Sequence, residues 1–327
     1  MPKRALITGI TGQDGSYLAE LLLEKGYEVH GLVRGSTDQR FERLAGIQDS
    51  LGLHAADLLD ESSLFDVMRT VSPDEVYNLA AMSSVSQSWR LAIATAEYTA
   101  VGVTRLLEAI RDVCPEARFY QASSSEMFGR ARESPQNEGT PFYPRSPYGV
   151  AKVYGHFITV NYRESFGIRA CSGILFNHES PRRGAAFVTR HISQGVASIK
   201  LGLTDELVLG NLDVRRDWGY AKEYVEAMWL MLQEEQPQDF VIGTGVSHSV
   251  RDLVDFAFQA VGLKPEDHIR IDPELARPAE IQEVVADPSK ARQVLGWAPK
   301  VSCEEVIEMM VNADLERLRA SPVPKSQ

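Results

Sequence analysis

Four side chains within residues 121–152 could move protons together. Ser124 and Glu126 stand where the apolar run Ala117-Arg118-Phe119-Tyr120-Gln121-Ala122 breaks into serines. Tyr148 and Lys152 follow Ser146-Pro147, a pair that starts helices: the serine oxygen accepts from first-turn N–H groups and proline suits the first helical position. Their spacing puts phenol and ammonium on one helix face. A hydroxyl and a carboxylate at a strand end thus oppose a phenol and an ammonium across a loop rich in Gly, Pro and Asn. Chemistry that moves several protons needs such a set, because each group tunes its neighbours' proton affinity. Alone, a Tyr-x-x-x-Lys pair is usually a solvated helix face. The chain before it changes that reading.

The elements that must position these groups begin at the N-terminus. Arg4-Ala5-Leu6-Ile7-Thr8 reads as a short strand, and Tyr17, Leu18, Leu21 and Leu22 mark the helix after it. Between them lies Gly9-Ile10-Thr11-Gly12-Gln13-Asp14-Gly15. The spacing is G-x-x-G-x-x-G rather than the usual G-x-G-x-x-G, but the physical requirement is the same. Backbone N–H groups must approach a pyrophosphate resting on a helix N-terminus. The second strand, Glu28-Val29-His30-Gly31-Leu32-Val33, ends at Arg34. An arginine there suits a 2′-phosphate, so Arg34 with Ser36, Arg40 and Arg43 points to NADP. Asp57 and Leu58 follow a third strand and could meet the adenine edge. Glu75-Val76-Tyr77-Asn78-Leu79-Ala80 reads as a fourth, and Ala81, Met82, Ser83, Ser84 and Ser86 follow it, at the carboxyl end where open α/β sheets bind ligands. Strands at 117–122 and 168–176 continue the alternation. The expected fold is α/β, a doubly wound parallel sheet.

A chain of 327 residues with 44% hydrophobic content can bury a large core. Net charge is −11, with a pI near 5.2, which argues against nucleic acid or an anionic membrane as partner. No apolar run approaches the ~18 residues that span a bilayer, and the expectation is a cytoplasmic protein. Cys114, Cys171 and Cys303 are too few and too scattered for a disulfide framework or a zinc site. The second half is less regular, yet it gathers arginines around Asn177-His178-Glu179-Ser180-Pro181-Arg182-Arg183-Gly184, Arg216-Asp217-Trp218 and Arg277-Pro278-Ala279-Glu280. In an acidic protein this suggests a phosphate-bearing ligand.

Together the glycine turn, the serine-rich strand end and Tyr148-x-x-x-Lys152 resemble the extended short-chain dehydrogenase/reductases. Over about residues 3–316, with the Asn-His-Glu-Ser-Pro segment particularly specific, the chain is similar to the GDP-mannose 4,6-dehydratase family. That resemblance implies a Rossmann-like domain over 1–176, a smaller nucleotide-sugar lobe over 177–320 with residues 218–245 returning to the first, and a tail at 321–327. It implies an internal redox cycle on a GDP-sugar with NADP recycled. Tyr148, its pKa lowered by Lys152 and the nicotinamide, would take the 4-hydroxyl proton; Glu126 would remove the C5 proton; Ser124 would hold the 4-oxygen. Gly9, Thr11, Gly12, Gln13, Asp14, Gly15, Arg34, Ser36, Asp57, Leu58, Leu79, Ala80, Ala81, His178 and Arg183, with Tyr148 and Lys152, would hold the cofactor. Asn177, Arg216 and Arg277 would hold the diphosphate and Glu280 a ribose, with Val188 and His191 at the guanine and Ser84, Ser124 and Glu126 at the sugar. Ser124 stands for the family's threonine, His191 for a lysine, and Gly35 for the second of an arginine pair. Other readings are a GDP-manno-heptose 4,6-dehydratase, a GDP-4-keto-6-deoxymannose reductase and a non-catalytic NADP sensor. A homodimer or homotetramer is expected, with no metal.

Overall fold

The computed structural model describes residues 1–37, 39–275 and 281–320. Its first half alternates strand and helix: β1 (Arg4–Thr8), α1 (Gln13–Glu24), β2 (Glu28–Val33), β3 (Gly52–Ala55), α2 (Glu61–Val71), β4 (Glu75–Asn78), the short α3 (Val85–Ser88) and α4 (Ala92–Ala96), α5 (Gly102–Val113), β5 (Arg118–Ser124), α6 (Pro147–Phe166) and β6 (Ala170–Leu175). The second half runs β7 (Asn177–Glu179), α7 (Val188–Lys200), β8 (Leu207–Leu209), β9 (Arg215–Tyr220), α8 (Ala221–Gln233), β10 (Phe240–Ile242), β11 (Ser247–Ser249), α9 (Val250–Val261), β12 (Ile269–Ile271), β13 (Glu283–Val284) and α10 (Cys303–Ala320).

Seven strands form one parallel sheet in the order β10-β6-β5-β4-β1-β2-β3. Strand order reverses between β1 and β4, which makes their carboxyl ends the switch point of a doubly wound sheet. Ile7, Tyr77 and Tyr120 face one helical layer with Leu18 of α1 and Met228 of α8. Leu6, Val76 and Phe119 face the other, with Met68 of α2 and Leu106 of α5. Successive strand residues serve opposite faces, so these strands read as nearly continuous apolar runs. A separate core joins α7, α9 and α10 through Ile192, Val196, Phe258, Met310 and Val311, beside the small sheet of β11, β9, β13 and β7. No helix among the described residues is long and apolar enough to cross a membrane.

Candidate active site

Side chains lock the strand ends at the switch point. The Thr8 hydroxyl donates to Asn78 Oδ1 (2.6 Å) and accepts from the Leu79 and Ala80 N–H groups (3.1 and 3.0 Å). Asn78 Nδ2 in turn donates to Gln121 Oε1 (2.8 Å), carrying the tie to β5. The turn after β1 closes through Gly12 N–H to the Gly9 carbonyl at 2.9 Å. Gly9 has φ +69°, and a Cβ on Gly15 would sit 2.3 Å from the Gly9 oxygen. Neither place tolerates a side chain. Gly12 caps α1 with no side-chain hydrogen bond, so the helix's first N–H groups meet the cavity without a capping oxygen. This is the geometry a pyrophosphate fits.

A cavity of about 920 Å³ runs from this turn, past the ends of β4 and β5, to the N-terminus of α7. Ser124, Glu126, Tyr148 and Lys152 all line it. Ser146 caps α6 by accepting from Gly149 N–H at 3.0 Å, with Pro147 in the first turn. That helix start sets Tyr148 against the end of β5. The Ser124 hydroxyl accepts from Glu126 N–H (3.2 Å), which turns the chain sharply and leaves Glu126 half-buried on the wall.

Burial raises the Tyr148 phenol to about 12, against a hydrogen bond with Ser124; the Glu126 carboxylate adds to the rise and the Arg183 cation opposes it. The lowering that the resemblance implies includes the positive charge of the nicotinamide, which these protein groups do not supply. Lys152 Nζ donates to the Ala122 carbonyl at 2.6 Å, and its field does not offset the phenol's desolvation. Burial instead lowers Lys152 to about 8, with Asp14 pulling the other way.

A second polar group joins α1 to β7 and to Ser180 just after it. His178 Nε2 lies 2.8 Å from Asp14 Oδ2, and its Nδ1 2.7 Å from the Phe176 carbonyl. Burial works against both charges, but the pair prevails: Asp14 falls to about 2 and His178 is raised. Gln13 Nε2 donates to the His178 carbonyl (3.0 Å), while its Oε1 accepts from Ser180 Oγ (2.8 Å). The Gln13 amide thus serves this joint, although the residue lines the cavity.

Of the other cofactor residues expected from sequence, Gly9, Thr11, Gly12, Gln13, Asp14, Gly15, Arg34, Leu58, Leu79, Ala80, Ala81, His178 and Arg183 line the cavity. Ser36 and Asp57 are not on its wall: Ser36 is exposed in the loop beyond β2, and Asp57 Oδ1 accepts from Leu59 N–H (2.9 Å) to shape a turn. Arg43 is on the wall; Arg40 pairs with Asp49 at 2.7 Å on the surface. Ser84, Asn177, Val188, His191 and Arg216 line the far end. Arg277 and Glu280 lie outside the described residues. Sequence reasoning missed Tyr98, whose ring lies 5.5 Å from the Arg34 guanidinium, and Phe187, stacked 3.6 Å from Arg183. The only sequence signal for either was an aromatic beside a helix boundary. Among the described residues no group of acidic, histidine or cysteine side chains could hold a metal.

An open glycine turn at the switch of a doubly wound sheet, with a Tyr-x-x-x-Lys helix facing a strand-end serine and glutamate, defines an extended short-chain dehydrogenase/reductase. Solved structures agree on the fold. The Thermus thermophilus UDP-glucose 4-epimerase, in complex with NAD, superposes with a TM-score of 0.84 at 26% identity, over 95% of this chain and 98% of that one. The Streptomyces venezuelae dTDP-glucose 4,6-dehydratase DesIV gives 0.86 at 23%, over 96% and 97%. Sequence goes further. The GDP-mannose 4,6-dehydratase family model matches residues 6–310. GDP-mannose 4,6-dehydratase 1 of Arabidopsis thaliana is 51% identical over 98% of this chain and 92% of its own length, and the human enzyme 50% over 97% and 93%. The chain belongs to the GDP-mannose 4,6-dehydratase family.

Proposed function

We propose that this chain converts GDP-D-mannose to GDP-4-keto-6-deoxy-D-mannose and water, with NADP as its cofactor. The observation that carries the reading is the Glu126 carboxylate on the cavity wall beside Ser124 and Tyr148. Oxidation at C4 needs only a base for the hydroxyl; losing water across C5 and C6 needs a second base, and Glu126 is the group available.

When bound, the oxidised nicotinamide supplies a positive charge, an acceptor for the C4 hydride and its return at C6. The open turn at residues 9–15 and the start of α1 would hold its pyrophosphate. Arg34, at the end of β2, would face the 2′-phosphate. Tyr148 would take the proton of the 4-hydroxyl while Ser124 holds that oxygen. The 4-ketone acidifies C5, and Glu126 would take that proton and pass it to the departing 6-hydroxyl, which leaves as water. Tyr148 would give its proton to C5 as C6 is reduced, returning every group to its starting state. Asn177 and Arg216, with Arg277, would hold the diphosphate; Val188 and His191 would meet the guanine. Arg216 supports this, since it is buried with Nη1 braced on the Arg215 and Ile281 carbonyls at 2.8 Å each.

The division into a cofactor lobe and a sugar-nucleotide lobe belongs to the same reading, as does assembly into a homodimer or homotetramer. Val150, Tyr154 and Phe157 on α6 support the latter, exposing one apolar stripe. The test is mass spectrometry of purified protein given GDP-mannose without added cofactor or reductant. Loss of one water with no net redox is expected. A product formed only when NADPH is supplied and consumed on a 4-keto sugar would overturn the dehydratase reading.

A further inference from the structure

Arg183 lines the cavity, pairs with Glu179 (3.0 Å) and stacks on Phe187 (3.6 Å), and its own main chain is held by other arginines. Three consecutive carbonyls, those of Pro181, Arg182 and Arg183, each accept from an arginine of a different element. Arg317 Nη2 of α10 donates to Pro181 (2.7 Å), and Arg190 Nη1 of α7 to both Pro181 (3.0 Å) and Arg183 (2.8 Å). Arg43 Nε donates to Arg182 (2.8 Å). Two of these arginines converge on one acid. Asp314 of α10, 2% exposed, accepts from Arg190 Nε (2.9 Å), Arg317 Nη1 (3.0 Å) and Ser193 Oγ (2.6 Å). Burial, and then the fields of Arg190, Arg317 and Arg182 against that of Glu42, hold the Arg43 guanidinium below its usual range. Cations therefore crowd this segment: Arg182 pairs with Glu20 (2.5 Å) and Arg183 with the buried Glu179 (3.0 Å), while Asp314 is the buried charge shared by Arg190 and Arg317. Neither Asp314, Arg190 nor Arg317 lines the cavity.

We propose that Asp314 is a positioning residue: through Arg190 and Arg317 it fixes the main chain of residues 181–183, and so the direction in which Arg183 enters the cofactor end of the cavity. The proposal rests on Arg183 contacting the cofactor. It makes the C-terminal helix part of the cofactor site without touching it. Asp314→Asn keeps the shape and removes the charge, so the arginines lose their common anchor and the segment its register. A guanidinium fork held by a neutral amide no longer has the paired geometry a carboxylate gives it.

The test is a double-mutant cycle on full-length protein stripped of nucleotide, reading the Kd of NADP+ by calorimetry. Asp314→Asn should weaken NADP+ about tenfold, and should add less than about twofold to Arg183→Ala, because both act through one side chain. Met310→Ala, in the same α7–α10 core, should lower Tm and leave Kd unchanged. Additive effects, or a Met310→Ala shift equal to that of Asp314→Asn, would overturn the proposal as mere loss of stability. If Asp314→Asn does not fold, Ser193→Ala removes one donor from the carboxylate and must show the same non-additivity at smaller amplitude. An Arg183→Ala variant with unchanged Kd would remove the Arg183 contact and this proposal with it. The dehydratase reading would then still stand or fall by its own mass-spectrometric test.

Discussion

The two ends of the cavity are built on different principles. The end at the glycine turn is made of backbone: strand ends pinned by Thr8, Asn78 and Gln121, a turn with no room for a Cβ, and a helix start without a side-chain cap. The far end is made of side chains carried on short elements, with Asn177 on β7, Arg216 on β9, and Val188 and His191 on the first turn of α7. Backbone geometry tolerates few substitutions but constrains sequence spacing tightly. Side-chain recognition tolerates exchange and leaves little trace in spacing. Changes near the turn and the catalytic set should therefore cost more than changes at the far end.

The largest effect should come from Glu126→Gln, which removes the proposed C5 base. Water loss should slow by ~10²–10⁴-fold while NADP binding is kept; near wild-type dehydration in the mass-spectrometric assay would remove Glu126 from the mechanism. Arg34→Ala should narrow the preference for NADP over NAD. A charge-assisted phosphate contact is worth roughly 1.5–3 kcal/mol, about ten- to a hundredfold in affinity, and Gly35 in place of a second arginine sets the expectation at the lower end. Equal wild-type affinity for the two cofactors would show that another group decides.

Gly15→Ala tests the turn itself. Its Cβ would meet the Gly9 oxygen at 2.3 Å and Ile10 Cα at 2.6 Å; the backbone must shift, at about 1–3 kcal/mol of stability, and NADP affinity should fall with it. An alanine variant with unchanged Tm and Kd would show the turn to be less rigid than its contacts imply.

Lys152→Met should abolish activity yet stabilise the cofactor-free protein. Lys152 is depressed from 10.5 to about 8 by burial. Below pH 8 it is charged folded or unfolded, and the folded state bears the full desolvation cost. Between pH 8 and 10.5 the unfolded chain binds more protons, so wild type gains stability as pH rises. The advantage of methionine, on the order of 1–3 kcal/mol, should be complete below pH 8 and lost by about pH 10.5. The Ala122 carbonyl keeps its bond from Gln121 Nε2 at 3.0 Å. Thermal melts of both proteins across that range decide it; a methionine variant less stable at pH 7 would contradict the burial cost. The smallest effect should be His191→Lys. His191 Nε2 only meets the Val208 carbonyl at 3.1 Å, so the KM for GDP-mannose should move by about twofold or less, within the ~0.5 kcal/mol of a peripheral change. A tenfold change would mean the guanine end is as exacting as the turn.

The same contrast explains what the sequence revealed. The glycine triplet, the Ser146-Pro147 cap and the i, i+4 spacing of Tyr148 and Lys152 are local rules, and each stands in the structure. Ser36 and Asp57 follow strand ends closely along the chain, but the loops decide their settings: Ser36 is exposed beyond β2 and Asp57 shapes a turn through Leu59 N–H. Tyr98 reaches Arg34 only because a wide helical turn at Glu97–Val101 follows α4, a tertiary feature with no periodic signature. The Lys152 ammonium both bonds the Ala122 carbonyl and lies 5.7 Å from the Tyr148 ring, a placement set by rotamer and burial that spacing alone does not give.

The sheet's last strand has a consequence for recombination. β10 reaches the sheet only after the chain has passed through α7 and β9 of the second core, yet it pairs with β6 through Phe240, Val241 and Ile242, and Asp239 beside it holds Arg163 of α6 and the N–H of Ser172 in β6. Splicing two relatives at residue 176 would therefore pair one parent's β6 with the other's β10. A fragment stopping there would present β6 as a bare apolar edge, a template for aggregation. Exchange of sugar preference between relatives should therefore succeed through point changes at the cavity's far end rather than through a splice at residue 176.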